Sequence, residues 1–409
     1  MNIIIFTENN RAGGMDTFYT NLAKSWPKTD DRFIFICNKG HPGLKFLIDE
    51  FPSNTRTVSH SILLNWDLNW VNKINILIIQ RILRKLLRYL LIPYQYLAIK
   101  KLLKTYHADH LIAVNGGYPG GFTTRLANIA WKSLGKGKSI HSLHGLLLNR
   151  NSSIPNIFSL LEKYFTSKHL ASLDHLICVS QACADSFKNY PDYDFKKIID
   201  VVHNGINLEE EKEAKNIPDL RKTLQLNKDA NILLMLATYD ANKGHSHLFK
   251  AMNIILKRYP ECHLVICGDH SGTDKSSVNK IMENIMSNID NVHLLDYIPN
   301  ASNLIKQADV LLIASQITES FGLTAIEAMR HKKPIVSTDT DALKEVIGLD
   351  GNAGYCLDKN NYILYAEKII YLLDNPDARK TMGENGNKRV KAKFNSIRMA
   401  KEYHSLLLK

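Results

Sequence analysis

Residues 307–347 read QADVLLIASQITESFGLTAIEAMRHKKPIVSTDTDALKEVI. The run "DVLLIA" at 309–314 is too short for a helix and has no polar alternation, as expected of a strand covered on both faces. A loop bearing serine and threonine follows, then the helix-forming "TAIEAMR", then a second apolar run, "PIVST" at 334–338. Strand, helix and strand in this order make the repeating unit of a parallel sheet. Gly322 lets backbone approach a neighbour closely, and the amides after it open a helix whose free N–H groups and positive dipole end suit an anion. Glu319 lies before that start and Glu327 within the helix. Two readings stand here. Thr324-x-x-Glu327 has the spacing of a capping box, with Glu319 a solvated loop residue. Alternatively, the two carboxylates hold neutral sugar hydroxyls on either side of a bound phosphate.

The same rhythm runs outward in both directions. Strands are expected at 3–6, 32–37, 110–114, 139–143, 175–180 and 197–202, and again at 232–237, 263–267, 292–296, 309–314, 334–338 and 354–357. Amphipathic stretches lie between them, for example 16–26, 119–133, 243–258, 275–287 and 361–373. The rhythm breaks at "HNGINLEEEKEAKNIPDL", which has a turn signal, an acidic run and a proline but no apolar period. The expected architecture is α/β, with two doubly wound, Rossmann-like parallel-sheet domains facing a central cleft. Residues 1–203 form the first domain, 204–219 the linker and 220–392 the second, with a C-terminal helix at 393–409 packing back on the first. Ligands belong at the carboxyl ends of the strands.

A chain of 409 residues is long enough for two cores. Six scattered cysteines form neither a CxxC pair nor zinc spacing, which suits buried thiols in a reducing compartment. The apolar part of "MNIIIF" is too short for a signal peptide, so a cytoplasmic protein is expected. The net charge of +12 suggests an anionic partner: nucleic acid, a phosphorylated substrate or an acidic membrane surface.

The 307–347 stretch closely resembles the donor-binding signature of family 4 glycosyltransferases, which have the GT-B fold. The resemblance continues along nearly the whole chain: "RAGGMDTFYTNLA" 11–23, "SLHG" 142–145, "CVSQACADSF" 178–187, "VVHNGIN" 201–207, "ATYDANKGHSHLFKAM" 237–252 and "FNSIRMAKEY" 394–403. It implies roles for matching positions. Glu319 would hold the donor sugar's hydroxyls, Phe321, Gly322 and Leu323 would offer backbone to sugar and pyrophosphate, and Glu327 would bind the ribose. Lys243 would neutralise the leaving diphosphate, Gly13 and Gly14 would bring N–H groups to it or to the acceptor, and His144 would sit near the transferred sugar. Catalysis is thus expected of Glu319, His144 and Lys243, with base contacts near Tyr297 and Ile298. One departure is Thr238, where the family usually has an arginine; Arg11 is a candidate for the missing charge. A second is Lys332, where the family commonly has glycine. The glycine-rich "NGGYPGG" loop, with Asn115, Gly116, Gly117 and Tyr118, reads either as acceptor recognition or as a plain tight connection.

The implied activity is a retaining glycosyltransferase using a nucleotide diphosphate sugar, with UDP-sugars favoured and no required metal. The expected acceptor is a lipid-linked or lipopolysaccharide-type glycan, and no nucleic-acid partner is expected. A soluble sucrose- or trehalose-type transferase, a GT-B nucleotide-sugar epimerase and a non-catalytic GT-B binding protein are the alternatives. Residues 68–108 contain no acidic residue, and 73–104 carry eight lysines and arginines. Arg81, Arg84, Lys85 and Arg88 fall on one helical stripe. Its charge and Pro93 argue against a span. Part of 94–106 is expected to pack on the N-terminal sheet; 73–92 reads either as a packed helix with a solvated basic face or, as expected here, as a helix lying on the anionic inner face of the cell membrane.

Overall fold

The computed structural model describes residues 1–11, 13–147, 156–188, 198–209, 217–268, 275–298 and 300–409. They fall into two compact units: Met1–Val179, Cys183–Val202 and Ala400–Lys409 in the first, Ser180–Ala182 and His203–Met399 in the second. The strands are β1 Asn2–Thr7, β2 Arg32–Asn38, β3 Thr55–His60, β4 His110–Asn115, β5 Ser139–Leu143, β6 His175–Cys178, β7 Ile199–Val201, β8 Asn231–Leu236, β9 Cys262–Cys267, β10 Val292–Leu295, β11 Val310–Ile313, β12 Ile335–Thr338 and β13 Gly354–Leu357. The helices up to the second unit's sheet are α1 Gly14–Lys24, α2 Leu44–Glu50, α3 Leu77–Leu90, α4 Ile92–Thr105, α5 Phe122–Ser133, α6 Asn156–Leu170, α7 Gln181–Asp185 and α8 Leu220–Thr223. Then come α9 His245–Arg258, α10 Lys275–Ile285, α11 Leu323–Arg330, α12 Leu343–Ile347, α13 Tyr362–Asp374, α14 Pro376–Lys393 and α15 Ser396–Leu408.

The first unit is a parallel sheet in the order β3-β2-β1-β4-β5-β6-β7, and the second one in the order β10-β9-β8-β11-β12-β13. Ile3, Ile4, Ile5 and Phe6 of β1 are all fully buried, which is why that strand is continuously apolar. The edge strand β3 was not expected from the sequence. "TRTVSH" holds one aliphatic side chain, and its pairing with β2 rather than its own burial makes it a strand. In both sheets the order reverses beside a central strand, between β1 and β4 and between β8 and β11. At such a point the connections leave in opposite directions and open a crevice at the carboxyl ends.

No helix among the described residues is long and apolar enough to cross a membrane. Helix α3 has no buried residue. Its outward face is apolar: Leu77, Ile78 and Leu90 are 66%, 69% and 64% exposed, and Ile79, Ile82 and Leu86 are exposed beside them. Arg81 and Arg84 are exposed and Lys85 half-buried along the flank. Arg88 departs from the expected stripe. It is half-buried, its guanidinium lies 6.0 Å from the Phe122 ring, and its Nε is buried. It turns inward because α3 docks there: the Tyr89 hydroxyl donates to Glu162 Oε2 at 2.9 Å, and the buried Arg125 donates to Glu162 Oε1 at 2.7 Å. The neighbouring α6 adds exposed Leu160, Leu161 and Tyr164.

Burial also keeps many histidines neutral. It lowers His41, His60, His245 and His247 to about 4, and His141 and His144 to about 3. His331 falls to about 3 through burial and then the charges of Arg330, Lys306 and Lys333. A histidine with a lowered folded pKa stabilises the fold fully above its unfolded value of about 6.5, and that contribution is lost as pH falls toward the folded value. For the fully buried His141 the loss is roughly 2–5 kcal/mol. Asp16, which burial raises to about 6, and the buried Glu8, which burial also raises, act in the opposite direction. The histidines outnumber them. The melting temperature measured by calorimetry should therefore fall steeply from pH 6.5 to 4 and change little from 7 to 8. A melting temperature constant down to pH 4 would contradict this burial.

Candidate functional site

In the second unit, every strand runs parallel, so the segments after β8, β10, β11 and β12 share one edge of the sheet. The loop after β8 and the loop after β11 flank the reversal point. Asp240 accepts from Asn242 N–H at 3.1 Å and tightens the turn that carries Lys243. Gly244 follows with φ +76°, and a Cβ there would lie 1.9 Å from the Ala314 carbonyl oxygen. Only glycine fits so close to the end of β11. The approach is closed by Gln316 N–H donating to Asn242 O at 2.8 Å. It brings Lys243 Nζ within 2.9 Å of Glu319 Oε2.

Glu319 is held from several sides. Ser315 Oγ donates to its Oε2 at 3.1 Å, and its own N–H donates to Asp341 Oδ2 at 3.1 Å. Asp341 has φ +36°, a conformation aspartate tolerates better than most residues. Ser315 is in turn fixed by Thr338, whose hydroxyl donates to its carbonyl at 2.6 Å. Asp341 was missed in the sequence; its one signal is its place in the "DTDAL" turn just beyond β12.

Gly322 is the N-cap of α11, with φ +89° and no side-chain cap. Thr324 therefore lies inside the helix, and the capping box its spacing suggested is absent: the left-handed glycine caps the helix two residues earlier. The first amides of α11 are left for another acceptor. Leu323 and Glu327 are half-buried on this helix. Phe321 is buried against His203 and Phe394, so its side chain serves the core and only its backbone can meet a ligand. Thr238 is half-buried at the end of β8. Tyr297 is exposed and Ile298 half-buried just beyond β10 on the same edge. The structure thus brings Lys243 and Glu319 together near the reversal point, with Gly322 starting the helix that carries Leu323 and Glu327, Thr238 just after β8 and Tyr297–Ile298 just beyond β10 at the sheet edge.

In the first unit, the exposed Gly13 and Gly14 begin α1 at the reversal point beside β1. Gly13 N–H donates to Asp16 Oδ2 at 3.1 Å. The other carboxylate oxygen faces His41 Nε2 at 3.4 Å, and His41 Nδ1 accepts from Gly43 N–H at 3.0 Å. The Gly-Gly turn is thereby tied to the loop after β2 through Asp16 and His41. His144 follows β5, with its Nε2 3.2 Å from Ser142 Oγ and its ring 4.2 Å from that of Phe18. Kept neutral down to about 3 by burial, it is an uncharged hydrogen-bonding group at neutral pH.

Two acceptor assignments are corrected. Tyr118 is 1% exposed, its hydroxyl lies 3.2 Å from His169 Nδ1, and its ring packs on Phe187. Asn115 is 1% exposed; its Oδ1 accepts from Thr124 Oγ1 at 2.8 Å and Gly121 N–H at 3.2 Å. Asn115 closes the loop onto the start of α5, and Tyr118 packs against α6 and Phe187, so both side chains are buried in the fold. Gly116 stays exposed and Gly117 half-buried.

Residues 12–210 match the family model described as Glycosyltransferase Family 4, and residues 216–389 match the model described as Glycosyl transferases group 1. Among curated relatives, an uncharacterized glycosyltransferase, MJ1178 of Methanocaldococcus jannaschii, is 29% identical over 254 residues, covering 59% of this chain and 65% of that protein. A putative glycosyltransferase, EpsD of Bacillus subtilis, is 25% identical over 314 residues, covering 75% and 78%. The trehalose synthase of Thermococcus litoralis is 28% identical over 204 residues, covering 46% and 47%. The chain thus spans just under two thirds of the archaeal glycosyltransferase it matches and about half of the trehalose synthase. Among solved structures, a glycosyltransferase from Rickettsia africae superposes with TM-score 0.75 at 20% identity, covering 99% of this chain and 97% of that one. Anabaena Alr3699/HepE in complex with UDP-glucose gives TM-score 0.75 at 16% identity, covering 100% and 99%. With the two family models together matching nearly the whole chain, and with two parallel-sheet units of this kind, the protein belongs to glycosyltransferase family 4 and has the GT-B fold.

Proposed function

We propose that the chain is a retaining glycosyltransferase that moves a sugar from a nucleotide diphosphate sugar to a lipid-linked or lipopolysaccharide-type glycan at the cytoplasmic face of the cell membrane. The observation that carries the donor reading is the Lys243–Glu319 pair at the sheet reversal, beside the uncapped start of α11. Lys243 and the α11 amides supply positive potential where the leaving diphosphate gathers charge. Glu319 accepts from sugar hydroxyls, and Glu327 from the ribose. Gly13 and Gly14 expose the corresponding backbone in the first unit. With that cationic potential supplied by the chain, no metal is required. A UDP-sugar is favoured, because Anabaena HepE of the same fold binds UDP and UDP-glucose. His144 lies near the transferred sugar, and the backbone of the exposed Gly116 and the half-buried Gly117 meets the acceptor.

The apolar outer face of α3, flanked by Arg81, Arg84 and Lys85, supports a peripheral position on an anionic membrane. That face favours the membrane reading over a soluble sucrose- or trehalose-type enzyme. The test uses a thermal-shift panel of nucleoside diphosphates, then labelled nucleotide sugars with and without a membrane extract. UDP should raise the melting temperature most, and label should enter an extractable glycolipid equally with and without a chelator. Free epimer in place of transfer, or binding without turnover, would replace this reading by an epimerase or a binding protein. Labelled product confined to free disaccharide would return the soluble alternative.

A further inference from the structure

A separate recess lies at the opposite edge of the second unit's sheet, at the amino ends of β11 and β12. Its volume is about 580 Å³, and Ile217, Asp219, Arg221, Lys306, Gln307 and Lys333 are among the residues lining it. Such a volume is within the range of small-ligand sites. Gln307 shapes it, accepting from Leu220 N–H at 2.7 Å and donating to Pro218 O at 2.9 Å. Both carboxylates on its wall are already engaged by backbone. Asp309 Oδ2 accepts from Ile232 N–H at 2.9 Å, and Asp219 Oδ1 from Lys222 N–H at 3.1 Å. Of the cations, Arg221 is engaged too, its Nη1 donating to Asn227 O at 3.1 Å and Ala230 O at 2.8 Å, but the others are less committed. The Lys306 and Lys333 ammonium groups have no hydrogen-bond or ion-pair partner among the described residues. Arg379 reaches Asp309 Oδ1 only at 3.8 Å, and its Nη1 is buried without a partner. Burial pulls the Lys333 ammonium below the usual lysine range; Asp309 opposes this and Arg379 adds to it. The neighbouring His331 is held neutral partly by Lys306 and Lys333. The recess therefore carries a positive field that its own carboxylates leave partly unmet.

We propose that this recess is a second anion site, which takes the phosphate of a small phosphomonoester or diphosphate through Lys306 and Lys333, with the nearby Arg379 adding positive potential from behind Asp309. Glu319 follows the other end of β11, roughly 10 Å or more along the strand, so the recess can be filled while the donor site is filled. A dianion there would relieve the repulsion among the three cations and stiffen the start of β11, the strand that ends in the Glu319 loop.

The phosphate has two possible sources, a soluble compound or a lipid headgroup, and lysine footprinting on the full chain separates them. The chain is treated with an amine-acetylating reagent in inorganic pyrophosphate, in phosphatidate-containing vesicles or in neutral vesicles, and each lysine is read by mass spectrometry. Lys306 and Lys333 should label about tenfold more slowly at roughly ten times the dissociation constant of pyrophosphate, while the exposed Lys45 and Lys401 label as before. Because pyrophosphate also suits the donor site, the footprint is repeated in Lys243→Ala, where it should persist. The rise in melting temperature with pyrophosphate should survive in Lys243→Ala and vanish when Lys306→Gln and Lys333→Gln are added. The Lys306→Gln/Lys333→Gln chain should keep wild-type turnover without pyrophosphate. Protection by phosphatidate vesicles alone would assign the site to a lipid headgroup. Lys306 and Lys333 labelling unchanged in both arms, or slowed no more than Lys45 and Lys401, would overturn the site whether or not the donor reading holds.

Discussion

Glu319→Ala and Lys243→Ala should each lower turnover about a hundredfold or more, the loss expected from about 3 kcal/mol of transition-state charge stabilisation. The fold should survive both changes. The pair is only partly buried, with side-chain exposures of 29% for Lys243 and 17% for Glu319, so breaking it should cost no more than about 1 kcal/mol. The geometry adds a sharper expectation. The two groups touch each other at 2.9 Å and Glu319 also holds Ser315 Oγ, so their effects are coupled. The double variant should therefore be much less than the product of the two single losses. Steady-state kinetics of both single variants and the double variant, beside melting curves for each, is the measurement. Near-normal turnover in either single variant would remove these residues from the chemistry. Strictly multiplicative losses would mean that they act independently of the contact seen here. Glu327→Ala should raise KM for the donor more than it lowers turnover. It should leave α11 intact, because Gly322 rather than a capping box starts that helix.

The second large effect concerns α3. Changing Ile78, Ile82 and Leu86 together to serine should lower partitioning onto anionic vesicles more than about a hundredfold. Each fully immersed aliphatic side chain is worth roughly 1.5–3 kcal/mol, so three that are partly immersed contribute several kcal/mol together. All three are exposed in the fold, and serine costs a helix little, so melting should barely change. The triple change Arg81→Gln, Arg84→Gln and Lys85→Gln should act differently. It should remove about 1 kcal/mol per charge, only on anionic lipid and only at moderate salt. The basic residues flank the outward face rather than make it, so the serine variant should be the more severe. Equal co-sedimentation of the serine variant and the wild type would return α3 to an ordinary surface helix.

Much of this protein was determined by its sequence alone. Short apolar runs lacking alternation, each followed by an amphipathic stretch, specify parallel strands buried on both faces. The register of β1, β4, β5, β8, β9 and β11 therefore agrees with the expected runs to within a residue or two. Lys243 and Glu319 were pointed to by the family resemblance, and the structure places them in the loops beyond β8 and β11. Ligand-binding residues follow strand ends, and strand ends are local features. Contacts between distant residues were not legible. Asp341 holds the backbone of Glu319 from 22 positions away, and Asp16 meets His41 from a separate loop; no local period encodes either pairing. Tyr118 and Asn115 stood in a glycine-rich loop that suited a ligand as well as a tight connection, and His169, Phe187 and Thr124 decided for the connection. In α3 the 3.6-residue period fixed the angles between the basic stripe and the aliphatic face, but not which of them turns outward. Arg88 and Tyr89 settle that by docking beside Phe122 and Glu162, and the aliphatic face is left to the solvent side. A helical period is a property of one segment, whereas its absolute orientation is set by whichever face finds partners in the rest of the fold.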